Sequence, residues 1–165
     1  EAAGLVLPGV AAFGYAMRAL GPLVGLLRET AESGKPLLGI CVGHQLLFEN
    51  SSEHGEHAGL GLVNGGVVPL PEAQRVPHMG WNLVEFDGEN ELFESLGRAK
   101  HFYFAHSYYA DIKDGQAKVF YTDYGFELPC AVKKGNIYGV QFHPEKSGPQ
   151  GLKVLENFAG MCEKY

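Results

Sequence analysis

Cysteine is scarce in this chain and basic residues are outnumbered, and each shortage removes a class of function. The three cysteines among 165 residues, Cys41, Cys130 and Cys162, are odd in number, widely spaced and form no CxxC pair. That pattern argues against a disulfide framework and against a structural zinc site, and it fits free thiols in a reducing cytoplasm. Thirteen Lys and Arg face nineteen Asp and Glu, a formal charge of −6. Nucleic acid and anionic membrane both need a basic face, so neither is expected as a partner. No apolar run approaches the ~20 residues of a membrane span, and the N-terminus carries no signal-peptide pattern. Repeats, low-complexity stretches and linkers are absent too, so residues 1–165 read as one domain.

What remains is an ordinary globular balance, 45% hydrophobic and 19% charged, in a chain long enough for a real core. The first half reads as α/β. "GLVLPG" is a short buried strand closed by Pro8-Gly9. Residues 22–33 form a helix with Pro22 in its first turn and Gly34 beyond its end. "PLLGI" is a second buried strand, followed by a helix over 42–50. Strand–helix–strand–helix order implies parallel strands. Further on the pattern turns β-rich, at 60–69, 80–86, 100–110, 117–122, 127–133 and 136–142, the last two meeting as a hairpin across "KKGN". A final amphipathic helix, about 148–163, places Leu152, Leu155, Phe158, Ala159 and Cys162 on one stripe. The fold class expected is a doubly wound, mostly parallel central sheet with an added antiparallel part. The chain opens almost directly on a buried strand, so an N-terminal strand and helix are expected to be missing ahead of it.

Within "PLLGICVGHQLLFEN", Gly39-Ile40-Cys41-Val42-Gly43 fits G-x-C-x-G, the cysteine version of a nucleophile elbow. Glycines allow the sharp turn and a close strand–helix approach, and they leave the thiol above the sheet. The helix N-terminus that follows favours a thiolate, and the Val42 N–H is placed to bind an oxyanion. A buried structural cysteine at a βα turn would carry the same glycines, so the motif gains meaning only if a base is supplied.

Seven histidines compete for that role. His54 and His57 sit in the polar loop "SSEHGEHAGLG", with Glu53 and Glu56 beside them but no third metal ligand at useful spacing. His44 lies just past the elbow and is expected to cap or pack; His78 and His101 have no distinguishing context. His143, in "IYGVQFHPEKSG", ends a strand and is held extended by Pro144. In extended chain, residues two apart share a side, so Glu145 can orient its imidazole. Cys41, His143 and Glu145 are therefore a candidate triad for acyl transfer through a thioester. A second oxyanion donor is expected from "LPGVAAFG", through the backbone of Val10 or Ala11. No metal and no cofactor is called for.

At this point the residues resemble the triad-type (class I) glutamine amidotransferases. "GICVGHQLLFE" is similar to their elbow and "YGVQFHPEKSG" to their His-x-Glu motif. "LVLPGVAAFGYAM", "PHMGWN" and "FYFAHSYYA" resemble segments of the members that serve histidine biosynthesis, in the same order along residues 5–148. The chain departs from that pattern at Ala11, where these members have glycine. The resemblance implies a glutaminase that passes ammonia to a (β/α)8-barrel synthase subunit in a heterodimer. It also implies that Gln45 and Glu53 hold the amino-acid end of glutamine, with Ser107 and Tyr108 across the pocket, and that Trp81 and Lys146 lie at the barrel interface.

Two other functions share the elbow. A glutaminase serving pyridoxal phosphate or anthranilate synthesis would have the triad, but "PHMGWN" speaks against it. A partner-free cysteine hydrolase would often carry histidine directly after the nucleophile, where this chain has Val42.

Overall fold

Leu37, Leu38, Gly39 and Ile40 are all buried, which happens to a strand only when the sheet is covered on both faces. In a computed structural model describing residues 2–86 and 90–165, this strand is β2 (Leu37–Ile40). It pairs in parallel with β1 (Leu5–Leu7) on one side and β11 (Ile137–Val140) on the other. The helices α1 (Phe13–Leu20) and α2 (Val24–Glu32) make the connection from β1 to β2. α1 lies outside the helix read at 22–33, and a single 3-10 turn at Gly21–Leu23 joins the two.

Antiparallel strands extend the same sheet beyond β11. They are β10 (Glu127–Lys134), β9 (Lys118–Asp123), β6 (His78–Glu85) and β7 (Ala99–His106), giving the order β1-β2-β11-β10-β9-β6-β7. Within this sheet, among the described residues, parallel pairing involves only β1, β2 and β11, so the seven-stranded sheet is mixed and the antiparallel part is continuous with the parallel one. The expected hairpin is β10–β11, with Lys134 opposite Ile137 and Gly135 at φ 57° in the turn. A register shift between Pro129 and Ala131 marks where proline has no N–H for the ladder. Among the described residues a second sheet follows the order β4-β3-β5-β8, made of β4 (His57–Ala58), β3 (Phe48–Ser51), β5 (Val63–Pro69) and β8 (Tyr108–Ile112).

Four expectations need correction. The first strand is only part buried: β1 ends the strand order of its sheet, and while Leu7 is buried, Val6 is exposed. The helix after the elbow, α3, runs only Val42–Leu46, and Phe48–Ser51 is a strand. Backbone carbonyls that would continue the helix are taken by the 60–63 segment: Leu46 accepts from Leu60, Leu47 from Leu62 and Val63, and Phe48 from Gly61. Tertiary pairing overrides a good helical pattern. The segment 100–110 is two strands in different sheets, broken at Ser107. Finally, α4 (Gly148–Lys164) buries Gly151, Val154 and Phe158, while Leu152 and Ala159 of the expected stripe face solvent. The hydrophobic face is rotated, and Leu155, Met161 and Cys162 flank it, packed against the core.

The core that matters for the site is aromatic. Phe142 is buried, stacks on Phe102 at 4.1 Å between centroids, and meets Phe104 edge-on. That clamp fixes the chain leaving β11 one residue before His143.

Candidate active site

Three adjacent parallel strands end at the same edge of the sheet, and each hands the chain to one part of the site. β1 leads into Pro8–Ala11, β2 into Cys41, and β11 into Gln141–Glu145. Crevices at the carboxyl ends of parallel strands are where open α/β sheets bind ligands. Here a cleft of about 310 Å³ opens there. It is lined by Val10, Ala11, Cys41, Val42, Gln45, Glu53, Ser107, Tyr108, His143 and Lys146, together with Ala12, Ala105 and His106. That volume lies at the small end of the range for small-molecule sites, room for an amino acid.

Cys41 sits at φ 53°, ψ −109°, a conformation that non-glycine residues rarely adopt. The strain is imposed from both sides: Cys41 N–H donates to Val140 O at 2.9 Å, and Cys41 O already accepts from Gln45 N–H at 3.2 Å. The flanking glycines allow this. A Cβ on Gly43 would sit 1.6 Å from Leu7 O, inside the backbone of β1, and one on Gly39 would lie 2.5 Å from Gly43 O. Gly43→Ala is therefore expected to destabilise the chain by about 3 kcal/mol or more, the upper end of overpacking costs. Thermal unfolding checks this; a melting temperature within 1 °C of the parent would mean that β1 moves aside freely, whereas this cost predicts a fall of about 6–12 °C.

His143 is buried and extended at φ −98°, ψ 99°, and its N–H donates to Tyr103 O at 2.9 Å. Its Nδ1 lies 2.7 Å from Glu145 Oε1. The pairing arises differently from the reading of an extended segment: Pro144–Lys146 is a 3-10 turn, and it is this turn that folds the carboxylate back on the ring. Ser147 locks the turn, donating from Oγ to His143 O at 2.6 Å and accepting from Tyr103 N–H at 3.0 Å.

Burial pushes the Cys41 thiol up to about 11, with Glu145 adding to the rise; the Val42 N–H, Lys146 and Gln141 act against it. The expectation of a thiolate favoured by the helix terminus is thus outweighed in this structure, because α3 is a single short turn and the thiol is buried. The Val42 N–H is also committed, donating to Gly9 O at 3.2 Å. Ala11 is not among the described non-glycine residues with positive φ, which are Cys41, His54 and Ser95.

Gln45 lines the cleft, and its amide nitrogen donates to Tyr108 O and to Gln141 Oε1, each at 3.0 Å. Glu53 Oε2 accepts from Phe13 N–H at 2.8 Å, serving the N-terminus of α1, where Ala12 offers no side-chain cap. Lys146 is an exposed residue at the cleft's rim. Trp81 lies away from the cleft on β6, half exposed and edge-on to Tyr103.

Sequence reasoning passed over two residues. Gln141 is buried with Nε2 at 3.8 Å from Cys41 Sγ. His106 is buried beside the cleft, with Nδ1 at 2.8 Å from Tyr108 O and Nε2 at 2.9 Å from His78 Nδ1. Only their position in "VQFHPE" and "AHSYY" could have signalled them. His44 packs, as expected: it is buried edge-on to Phe48, neither ring nitrogen has a hydrogen-bond partner among the described residues, and burial lowers its pKa to about 3. It has no role as a base.

Compared with known proteins, residues 2–161 match the model of the glutamine amidotransferase class-I family. The chain belongs to that family. Among its amidotransferase relatives is the "Imidazole glycerol phosphate synthase subunit HisH" of Aquifex aeolicus (strain VF5), 49% identical over 99% of this chain and 80% of the relative. The protein of the same name from Moorella thermoacetica (strain ATCC 39073 / JCM 9320) is 50% identical over 95% of this chain and 76% of its own length. Solved structures share the fold. A glutamine amidotransferase crystal structure superposes with a TM-score of 0.73 at 21% identity, covering 98% of this chain and 79% of that one. PurLQS from Thermotoga maritima gives 0.69 at 19% identity, covering 94% and 78%. The amidotransferase fold accounts for the mixed sheet, with the elbow at the end of β2. Among the described residues, no helix is long and apolar enough to cross a membrane.

Proposed function

We propose that this amidotransferase is the glutaminase subunit of an imidazole glycerol phosphate synthase, with Cys41, His143 and Glu145 as its catalytic triad. The observation that carries the reading is the strained Cys41 and His143 on one small cleft, with Glu145 against the His143 ring, in a chain about half identical to subunits of that name.

His143 Nε2 takes the thiol proton while Glu145 holds Nδ1–H and the tautomer. Cys41 Sγ attacks the carboxamide carbon of glutamine. The C–N bond breaks, ammonia leaves with the proton carried by His143, and a glutamyl thioester remains. His143 then deprotonates a water that attacks the thioester, releasing glutamate and restoring the thiol. Glu53 and Gln45 are assigned to the amino-acid end of the substrate, and Ser107 and Tyr108 to the opposite wall.

The oxyanion donors are assigned to Val42 N–H and to the backbone of Val10 or Ala11. Because Val42 N–H is held by Gly9 O, the Gly9 carbonyl must swing away before that N–H can serve an oxyanion. Turnover then depends on whatever favours the open loop, and a bound partner is the natural source.

An exposed face of β6, outside the cleft lining, supports a partner. Met79, Trp81 and Leu83 alternate along one face of β6 and are 64%, 52% and 41% exposed, with Tyr121 of β9 at 45%. A contiguous apolar face of this kind marks an interaction surface. It is assigned, with Lys146, to the (β/α)8-barrel subunit that would use the ammonia. The test is glutamate release by the chain with and without that subunit, titrated to saturation. Stimulation by the barrel subunit is expected; full activity alone, unaffected by it, would favour a partner-free hydrolase. In the same titration Trp81→Ala should weaken association by about 2 kcal/mol, roughly thirtyfold in Kd. The free subunit should melt within a few degrees of the parent; a large drop would assign Trp81 to the core instead.

A further inference from the structure

We infer that Gln141 is a positioning residue for the nucleophile, donating a hydrogen bond from its side-chain amide to Cys41 Sγ and stabilising the thiolate as it forms. The inference rests on the reading of Cys41 as the nucleophile.

The orientation of the Gln141 amide follows from its neighbours. Tyr108 O is a backbone carbonyl and can only accept, so the Gln45 atom 3.0 Å from it must be the NH2 nitrogen. The same nitrogen is 3.0 Å from the Gln141 side chain, and with its second hydrogen it can only donate there. Gln141 therefore presents its oxygen to Gln45, and its own NH2 is the group 3.8 Å from Cys41 Sγ. Flipping either amide would set donor against donor or acceptor against acceptor. His106 Nδ1, also donating to Tyr108 O at 2.8 Å, holds that carbonyl in place. The backbone adds a second anchor: Gln141 N–H donates to Cys130 O at 2.8 Å.

The role follows from which partners survive ionisation. Ala105 O, 4.0 Å from Cys41 Sγ, is an acceptor within reach of the thiol. A carbonyl can serve a thiol but repels a thiolate. The Gln141 N–H does the opposite, because a donor to a charged acceptor strengthens. Two charged groups influence the sulfur in opposite senses, Glu145 against ionisation and Lys146 for it. His143 lines the same cleft, and the Val42 N–H is shared with Gly9 O. Gln141 is thus a neutral donor, buried and fixed, whose contact with sulfur precedes any movement of the oxyanion loop.

The test measures alkylation of Cys41 by iodoacetamide against pH, with the modified peptide resolved from those of Cys130 and Cys162 by mass. This readout needs no glutamine, so it stands even if the chain proves not to hydrolyse glutamine. Gln141→Met keeps size and removes the donor. Its profile should move to higher pH, with the rate at a fixed pH near 8 falling about tenfold, the usual worth of a hydrogen bond to a charged group. In glutaminase assays with the partner, kcat should fall by a similar factor while KM changes less than threefold. Gln141→Glu keeps the acceptor for Gln45 and replaces the donor, and it should slow alkylation at least as much. An alkylation profile that superimposes on the parent's in either folded variant overturns the proposal, leaving Gln141 a packing residue. If the Met variant does not fold, the Glu variant alone decides.

Discussion

Replacing Cys41 by alanine is expected to abolish glutamate release from glutamine and to leave ammonium-dependent synthesis by the assembled complex intact. The reason is chemical. Thioester formation needs a nucleophile above the sheet at the elbow, and the other two cysteines cannot stand in for it. Cys130 is buried in β10 with its thiol shifted far up by that burial, and Cys162 lies on α4. Removing a triad nucleophile from an amidase leaves only what the oxyanion donors and binding supply, a loss on the order of 10⁴-fold or more. Alanine should cost the fold little, because it keeps the Cβ and so leaves the backbone at φ 53° no more strained than cysteine does. The measurement is paired: glutamate release from glutamine, and synthesis with ammonium salt, both on the complex with the barrel subunit. Loss of both with the complex still assembled would contradict the division of labour between subunits. Retention of glutamate release would remove Cys41 from the chemistry altogether.

How far the sequence carried this picture differs by element. The elbow was legible because its glycines are demanded by backbone collisions that any sequence must avoid, and the close approach of Gly43 to Leu7 O is such a demand. His143 and Glu145 were legible as a pair for a partly mistaken reason: their two-residue spacing suggested an extended segment, whereas a 3-10 turn brings them together. Pro144 starts that turn, and Ser147, which closes it, carries no signal at a distance. The short α3 was not legible. Its apolar continuation looks helical until the 60–63 segment arrives to claim the carbonyls, and that is a fact of tertiary pairing. Gln141 and His106 were hidden for the same reason. An amide or an imidazole acquires meaning from the donor and acceptor opposite it, and those opposites lie 100 and 28 residues away in the chain, in Cys41 and His78. Electrostatics reversed one inference outright. A helix start beside the thiol suggested a ready thiolate, but burial dominates and the resting group is a thiol.

In the proposed mechanism that neutral thiol makes His143 the residue on which turnover depends, and it sets the size of the second large effect. With a thiol near 11, only about one Cys41 in a thousand is ionised at pH 8, so the histidine must take the proton as attack occurs. His143→Ala should cost on the order of 10³–10⁴ in kcat, because it removes both the base and the acid that delivers a proton to leaving ammonia. The remaining activity should rise about tenfold per pH unit between pH 7 and 9. Below its pKa a group's ionised fraction grows tenfold with each unit, and without His143 the free thiolate becomes the nucleophile. Glu145→Gln should be milder, about 10–100-fold, for a reason visible in the site. The carboxylate is 49% exposed, so its charge on the ring is screened by solvent, and the amide oxygen of glutamine can still accept from Nδ1–H. Rates of glutamate release with the partner bound, taken across that pH range for the parent and both variants, check the whole set. A flat pH profile in His143→Ala would mean that the residual turnover does not use the Cys41 thiolate. An equal loss in both variants would instead make Glu145 as necessary as the base it orients, and would point to a site that closes and excludes solvent around that carboxylate when glutamine binds.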